Sequence, residues 1–386
     1  MTSTTIESTS YSISRANIFR WAAIIVLVYL LLVAVAVIGN GFQLASAGQA
    51  VRLFDFASNP VIAVIIGVVA TALIQSSSTV TSIIVGLVAG GMPLGIAIPM
   101  IMGANVGTSL TSTLVSLGHV RDRMEFKRAF SAATVHDSFN LLAVALLFPI
   151  EQLFSPLEKL SSFFAAFLRP GSISEMGGFN LVGMAVKPAA DGLESAFSLI
   201  PGVVGGALMV LAGIVLILLV IKYMGEILKK VMTGRALEIL HRTIGRNPIS
   251  GIGAGGFITV LVQSSSTTTS LIVPMAGNGL FSLKQVYPFV LGANLGTTVT
   301  ALLAAVAISG PMATMAMQIA LVHFFFNLSA IILIYTLPFL RNIPLFMAEK
   351  LSMLAIRNKA YVLAYIIVVF FIGPLSVIGV SRLFGL

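Results

Sequence analysis

The chain contains no cysteine, which excludes disulfides and thiolate metal sites. It is also poor in charge. Only 9% of its 386 residues are Asp, Glu, Lys or Arg, where a soluble domain carries about 25%. No charged residue occurs between Phe56 and Val120, or between Asn247 and Leu283. With a hydrophobic fraction of 58% and a mean hydropathy of +1.05, this scarcity excludes a soluble globular fold. The apolar runs have helical length, which excludes a barrel of membrane strands. The net charge of +9 would suggest nucleic acid in a soluble protein. Here it is expected to report cytoplasmic loops, which favour Lys and Arg, and no nucleic-acid partner is expected. The Ser/Thr-rich stretch Met1 to Ser14 lacks a signal-peptide pattern.

What is present is a polar pentapeptide that occurs twice in apolar surroundings. Gln75-Ser76-Ser77-Ser78-Thr79 recurs as Gln263-Ser264-Ser265-Ser266-Thr267, 188 residues later. An unpaired hydroxyl or amide in hydrocarbon costs several kcal/mol, so such a segment needs partners. Two further landmarks follow in the same order. Gly103-Ala104-Asn105-Val106-Gly107-Thr108 is answered by Gly292-Ala293-Asn294-Leu295-Gly296-Thr297, and Val135-His136-Asp137-Ser138-Phe139-Asn140 by Val322-His323-Phe324-Phe325-Phe326-Asn327. Offsets of 188, 189 and 187 define an internal repeat.

The hydropathy pattern predicts an all-α integral membrane protein. Residues 1–20 form a cytoplasmic tail, 21–150 the first repeat, 151–200 an outer loop, 201–340 the second repeat, and 341–386 an interfacial segment and a last membrane helix. Crossings are expected over Trp21–Ile38, Pro93–Leu117, Ala129–Phe148, Pro201–Ile221, Leu283–Val306, Met312–Pro338 and Tyr361–Val380, with a polar connection from Gly39 to Asn59. The arms flanking each pentapeptide are too short to span, since a crossing takes about 20 residues. Each pair therefore reads as a re-entrant hairpin, 60–91 and 249–279, with its polar tip at membrane depth. Three crossings per repeat, an odd number, turn the second copy upside down. The basic stretches Arg121–Arg128 and Lys222–Arg246 then fall on the inside, as the charge rule demands. Inverted repeats with interrupted helices at the midplane characterise secondary transporters.

The tip chemistry suits an oxyanion and a sodium ion together. Hydroxyls and amides both donate and accept. The second arm presents free N–H groups and a helix dipole to an anion, and the first arm presents carbonyls to a cation. No fixed side-chain charge in the hairpins can neutralise a dianion. Bound sodium can, at about 4 kcal/mol for a contact near 4 Å at an effective dielectric near 20. Blander readings stand beside these. Serines in membrane helices often only bond neighbouring carbonyls or pack, and the glycines of the two Gly-Ala-Asn-x-Gly-Thr segments read as packing glycines. Asn105 and Asn294 read as polar site or hinge residues. His136 and His323 fit helix-to-helix bonding better than zinc. Asp122 and Arg123 read as loop charges, whereas Asp137, inside an apolar helix, is functional by default. A small-anion channel is disfavoured because no ring of basic residues marks a pore. An intramembrane serine hydrolase lacks a nucleophile elbow and an oriented base.

At these residues the chain resembles the type II sodium-dependent phosphate cotransporters, from about Arg20 to Pro338, in a bacterial-type form with short outer loop and tails. The resemblance rests on both pentapeptides, on Ile101–Ser109, on Asp122–Phe130 and on Thr134–Asn140. It implies inorganic phosphate, as the divalent ion, carried electrogenically with sodium across the cell membrane by alternating access. No covalent cofactor is expected, and the expected partners are phosphate, sodium, the bilayer and a second copy of the chain in a homodimer. It implies phosphate contacts from Gln75, Ser76, Ser77, Ser78, Thr108, Arg123, Gln263, Ser264, Ser265 and Ser266. It implies sodium contacts from Asp122, Thr297 and Thr300, to which the residue chemistry adds Thr79, Asn105, Asp137, Thr267 and Asn294. Asp137 stands where the electrogenic members carry Asp. Two positions depart from the pattern. His119 stands where mammalian members have Gln, and Ala293 where a Ser hydroxyl is expected.

Overall fold

A computed structural model describes residues 15–46, 59–108, 110–168, 181–200, 202–232, 240, 243–376 and 379. Expectations for the tail 1–14, the connection 47–58, and parts of the outer loop (169–180) lie outside the described residues. So do those for the basic stretch 233–239 and 241–242 and the last residues 377–378 and 380–386.

All regular structure among the described residues is helical. Among the described residues, six helical stretches are long and apolar enough to cross a membrane: Phe19–Ser46, Leu94–His119, Arg123–Phe154, Val203–Ile227, Leu283–Val306 and Ala313–Tyr335. These match six of the seven expected crossings. The seventh expected crossing falls on the apolar helix Ala360–Ser376, which among the described residues is too short to count as a crossing.

The helices in chain order are α1 (Arg15–Ser46), α2 (Pro60–Ile74), α3 (Ser77–Ala89), α4 (Leu94–Gly107), α5 (Leu110–Ser116) and α6 (Arg123–Phe154). After these come α7 (Pro156–Phe167), α8 (Leu181–Phe197), α9 (Gly202–Met232), α10 (Pro248–Val262) and α11 (Ser265–Gly277). The last four are α12 (Leu283–Val306), α13 (Ala313–Ala330), α14 (Pro338–Arg357) and α15 (Ala360–Ile367). Two differences from the hydropathy reading have local causes. α1 runs on through Gly39 and Gly41 to Ser46. These glycines are packing positions, not turn residues: a Cβ on Gly41 would lie 2.9 Å from Met209 Cβ. The stretch read as an outer loop holds α7 and α8. The Glu151 carboxylate accepts from Leu157 N and Glu158 N at 2.7 and 3.0 Å and so caps α7, which begins at Pro156.

The repeat is visible in how closely backbones approach. α2 packs on α4, and α10 on α12. A Cβ on Gly103 would fall 1.9 Å from Val64 O, and a Cβ on Gly292 1.9 Å from Ile252 O. Gly67 and Gly255 repeat the match, with distances of 2.1 and 1.9 Å to Met100 O and Phe289 O. The landmark glycines are therefore required by contact. Between halves, α3 packs on α12 and α13, while α11 packs on α5 and α6. α7 lies on α13 and α14 on α6. Each half thus buries the second arm of the other, and one large apolar cluster, including Ile84, Val88, Ile101, Phe139, Ile319 and Phe326, runs through both.

Candidate functional site

Both pentapeptides break their helix in the same way. α2 ends at Gln75 in the left-handed region (φ 57, ψ 28), and α10 ends at Gln263 (φ 55, ψ 25). Non-glycine residues rarely adopt this conformation, and it clusters at functional sites. The next serine is extended and caps the second arm. Ser76 Oγ accepts from Thr79 N and Thr79 Oγ1 at 3.2 and 2.8 Å, and Ser264 Oγ from Thr267 N and Thr267 Oγ1 at 3.2 and 3.0 Å. A serine N-cap in two apolar helix pairs explains the position of Ser76 and Ser264 in the motif. The C-terminal ends of the second arms are capped from other helices. Arg128 Nε donates to Gly277 O at 2.7 Å, and Gln43 Nε2 to Ala89 O at 2.9 Å.

The two tips meet. Ser266 Oγ lies 3.5 Å from Gln75 O. The hydroxyls of Ser77, Ser78 and Ser265 have no hydrogen-bond partner among the described residues, although each of these residues is buried. Two helix N-termini therefore lie close together, each with uncommitted hydroxyls in its first turn and with no charged side chain in either hairpin. That combination can hold an anion.

The halves also differ. Gln263 is buried, and its Oε1 accepts from Thr300 Oγ1 at 2.8 Å. The repeat counterpart of Thr300 is Thr111, whose hydroxyl is buried without a partner, and Gln75 is exposed. His136 Nε2 lies 2.5 Å from Asn294 Oδ1, and Asn294 Nδ2 donates to Asn140 Oδ1 at 2.7 Å. Asn140 Nδ2 in turn donates to Asn105 O at 2.8 Å, linking α4, α6 and α12. In the mirror positions both ring nitrogens of His323 lack a partner. There Asn327 and Asn105 donate to His323 O and Ile101 O of their own helices. The Thr71 hydroxyl is unpartnered for a simpler reason: its counterpart Thr259 bonds Thr268 at 3.0 Å, and Val80 stands where Thr268 would be.

The remaining candidates divide. Thr108 and Thr297 are buried and donate to Ala104 O and Ala293 O one turn back. Asp137 is buried and accepts from Tyr365 and Thr113. Asp122 and Arg123 are exposed, next to His119 and Arg128. Those two residues approach Gly277, so Asp122 and Arg123 sit at the end of α11 away from the tip. Twelve residues at 1.5 Å per residue make that about 18 Å. Asp122 caps α6, accepting from Met124 N and Glu125 N at 2.8 Å each. The N–H groups of Glu125 and then Met124 hold its carboxyl below the usual carboxylate range. Its contribution to stability is therefore present above the ordinary carboxylate value and lost as pH falls through the lowered one. Asp122→Ala is expected to lower the thermal midpoint, with the deficit closing on acidification. Asp122→Asn, an equally good cap, is expected to keep the midpoint.

Sequence reasoning did not single out Thr111, Thr113, Asn140 or Tyr365 as site residues. Thr111 was reachable by applying the 189-residue offset to Thr300. Tyr365 lies beyond the repeat and carries no signal of its own. A cavity of about 990 Å³ opens beside Gly90, Asn40, Gln43, Glu194 and Ser309 and does not reach the tips. No cluster of three His, Asp or Glu residues suited to a metal ion occurs among the described residues.

Six apolar helices and two matched, facing helix breaks define a multi-pass, all-helical membrane protein. The chain belongs to the Na+/Pi-cotransporter family, whose model matches residues 30–173 and 216–339, one block for each tip. It is 32% identical over 445 residues to "Sodium-dependent phosphate transport protein 2B" of Pongo abelii, covering 92% of this chain and 64% of the relative. It is 33% identical over 425 residues to "Sodium-dependent phosphate transport protein 2A" of Mus musculus, covering 92% and 66%. The chain thus spans about two thirds of the length of these relatives. No solved structure gave a significant match.

Proposed function

We propose that the protein is a symporter that carries inorganic phosphate, as the divalent ion, with sodium through the cell membrane by alternating access. The observation that carries this reading is the meeting of the two tips. Phosphate would sit between them, taking the free N–H groups of α3 and α11 and the hydroxyls of Ser77, Ser78, Ser265 and Ser266. Family membership supports the substrate, as do relatives named as sodium-dependent phosphate transport proteins.

Each half contributes three of the six apolar helices. With 60–91 and 249–279 as hairpins that leave on the side they enter, an odd number inverts the second half. The halves are then 21–150 and 201–340, separated by the outer segment 151–200, with 341–386 following. Sodium would use the oxygens of Thr79, Asn105, Thr267, Asn294, Thr297 and Thr300, with Asp137 as the buried charge. Asp122 and Arg123 lie at the inner end of α11 and would meet ions entering or leaving there. Because no hairpin side chain is charged, sodium supplies the compensating charge and anion affinity depends on it. That mutual dependence is the coupling. If Asp137 binds one more sodium than the anion's charge requires, each cycle moves net positive charge.

The unequal mirror contacts support alternating access. Gln263–Thr300 and His136–Asn294 are made, while the equivalent Gln75–Thr111 and His323–Asn105 are not. Two nearly equivalent halves holding opposite settings fit an exchange in which the open set closes as the closed set opens. Radiolabelled phosphate uptake into proteoliposomes tests the reading. Uptake is expected to require an inward sodium gradient, to fail with potassium, to rise with an inside-negative potential, and to accelerate with phosphate on the far side. Equal uptake in potassium would remove the coupling. Conduction without sodium would replace the symporter with a channel.

A further inference from the structure

The Asp137 carboxylate is 1% exposed, within the apolar helix α6. Its Oδ2 accepts from Tyr365 Oη at 2.6 Å and lies 3.4 Å from Thr113 Oγ1. Tyr365 is on α15, outside both blocks of the family match and 228 residues from Asp137. Its ring is fixed by edge contacts with Phe130 and Phe370, at 6.3 and 6.2 Å between centroids. Phe370 also packs with Ala72 and Leu110, three residues before Gln75 and one before Thr111. Val362 joins Phe126, Phe130 and Ala355. The C-terminal helix therefore spans from the first tip to the carboxylate and brings a hydroxyl to it.

We propose that Tyr365 is a positioning residue for a monovalent cation at Asp137: its hydroxyl satisfies the carboxylate when the cation is absent and is displaced when it binds. A buried carboxylate in a membrane interior needs a donor or a cation. The short Tyr365 bond supplies the donor, and it occupies an oxygen that the cation would take. In this proposal the cation takes the same carboxylate oxygen, Oδ2, so that it competes with Tyr365 and loosens α15 from Asp137. Filling of the site is thereby felt at the first tip through Phe370. The proposal rests on Asp137 as a sodium ligand.

Sodium binding is measured as the rise of the thermal midpoint with NaCl against choline chloride for the detergent-purified protein, and sodium activation as uptake in proteoliposomes. Tyr365→Phe keeps both ring contacts and removes the competitor. Half-saturating sodium is expected to fall about tenfold, the effect of one hydrogen bond to a charged group. In Asp137→Asn the same tyrosine change is expected to have no effect. Tyr365→Met, which also lacks the hydroxyl, is expected to behave as the Phe variant and serves if that variant does not fold. An unchanged or raised sodium requirement in both tyrosine variants overturns the proposal, as does a shift that persists in Asp137→Asn. Failure of the transport reading is distinguishable: the wild type would show no sodium-dependent uptake, while its sodium-dependent midpoint still moved with Tyr365.

Discussion

With Ser77 and Ser265 both changed to alanine, phosphate uptake is expected to collapse at ordinary substrate concentration. Each hydroxyl belongs to a buried residue in the first turn of a second arm and is not bonded to any described residue. A hydrogen bond to a charged group contributes about 1.5–3 kcal/mol. One substitution should therefore raise the half-saturating phosphate concentration by roughly tenfold or more, and two by at least about a hundredfold where the effects add. The protein should still fold, because the capping serines Ser76 and Ser264 are untouched. Radiolabelled uptake over a phosphate series, beside a size-exclusion profile, gives both readings. Wild-type affinity in the double variant would remove the tips as the anion site.

Alanine at Gly103 or Gly292 is expected to abolish the folded protein. The added Cβ would lie 1.9 Å from a backbone carbonyl oxygen in each case, Val64 O or Ile252 O. A carbonyl within a helix cannot rotate away as a side chain can, so α2 must part from α4, or α10 from α12. Overpacking costs about 1–3 kcal/mol where side chains absorb the strain, and more where backbone must move. Gly253 is the control: it is on the same helix as Gly255, but nothing lies within 4 Å of its Cβ position. Gly253→Ala should leave thermal stability and monodispersity as in the wild type. Equal stability of all three variants would show that the tight approach does not hold in solution.

The repeat is legible in the sequence because polar residues in hydrocarbon are conspicuous. Gln75, Ser76 and their copies stand out against apolar neighbours, and their arms are visibly too short to span. The first-arm break follows as well, since a cap serine after a left-handed residue is a local device. The continuation of α1 past Ile38 was not legible. Gly39 and Gly41 read as turn residues alone, and only the proximity of α3 and α9 gives them a packing role. For the same reason 151–200 looked like a loop: the start of α7 there depends on the Glu151 cap. Asp122 and Arg123 illustrate the opposite limit. Sequence resemblance gathers them with the tips, whereas the structure has them at the far end of α11, with the Asp122 carboxylate engaged as a cap.

By itself the sequence determined that this is a helical membrane protein with a twofold repeat, an uncharged polar break in each half, and an affinity for the phosphate cotransporter pattern. Those properties follow from local composition and spacing, which hydrocarbon makes stringent. Tertiary structure alone decided that the two breaks touch, that Thr300 holds Gln263 while Thr111 is left open, and that Tyr365 reaches Asp137. Such facts join residues up to 228 positions apart. They arise from the packing of one half on the other, and the repeat makes both settings of each mirror contact chemically available. Only the folded chain selects which one is made.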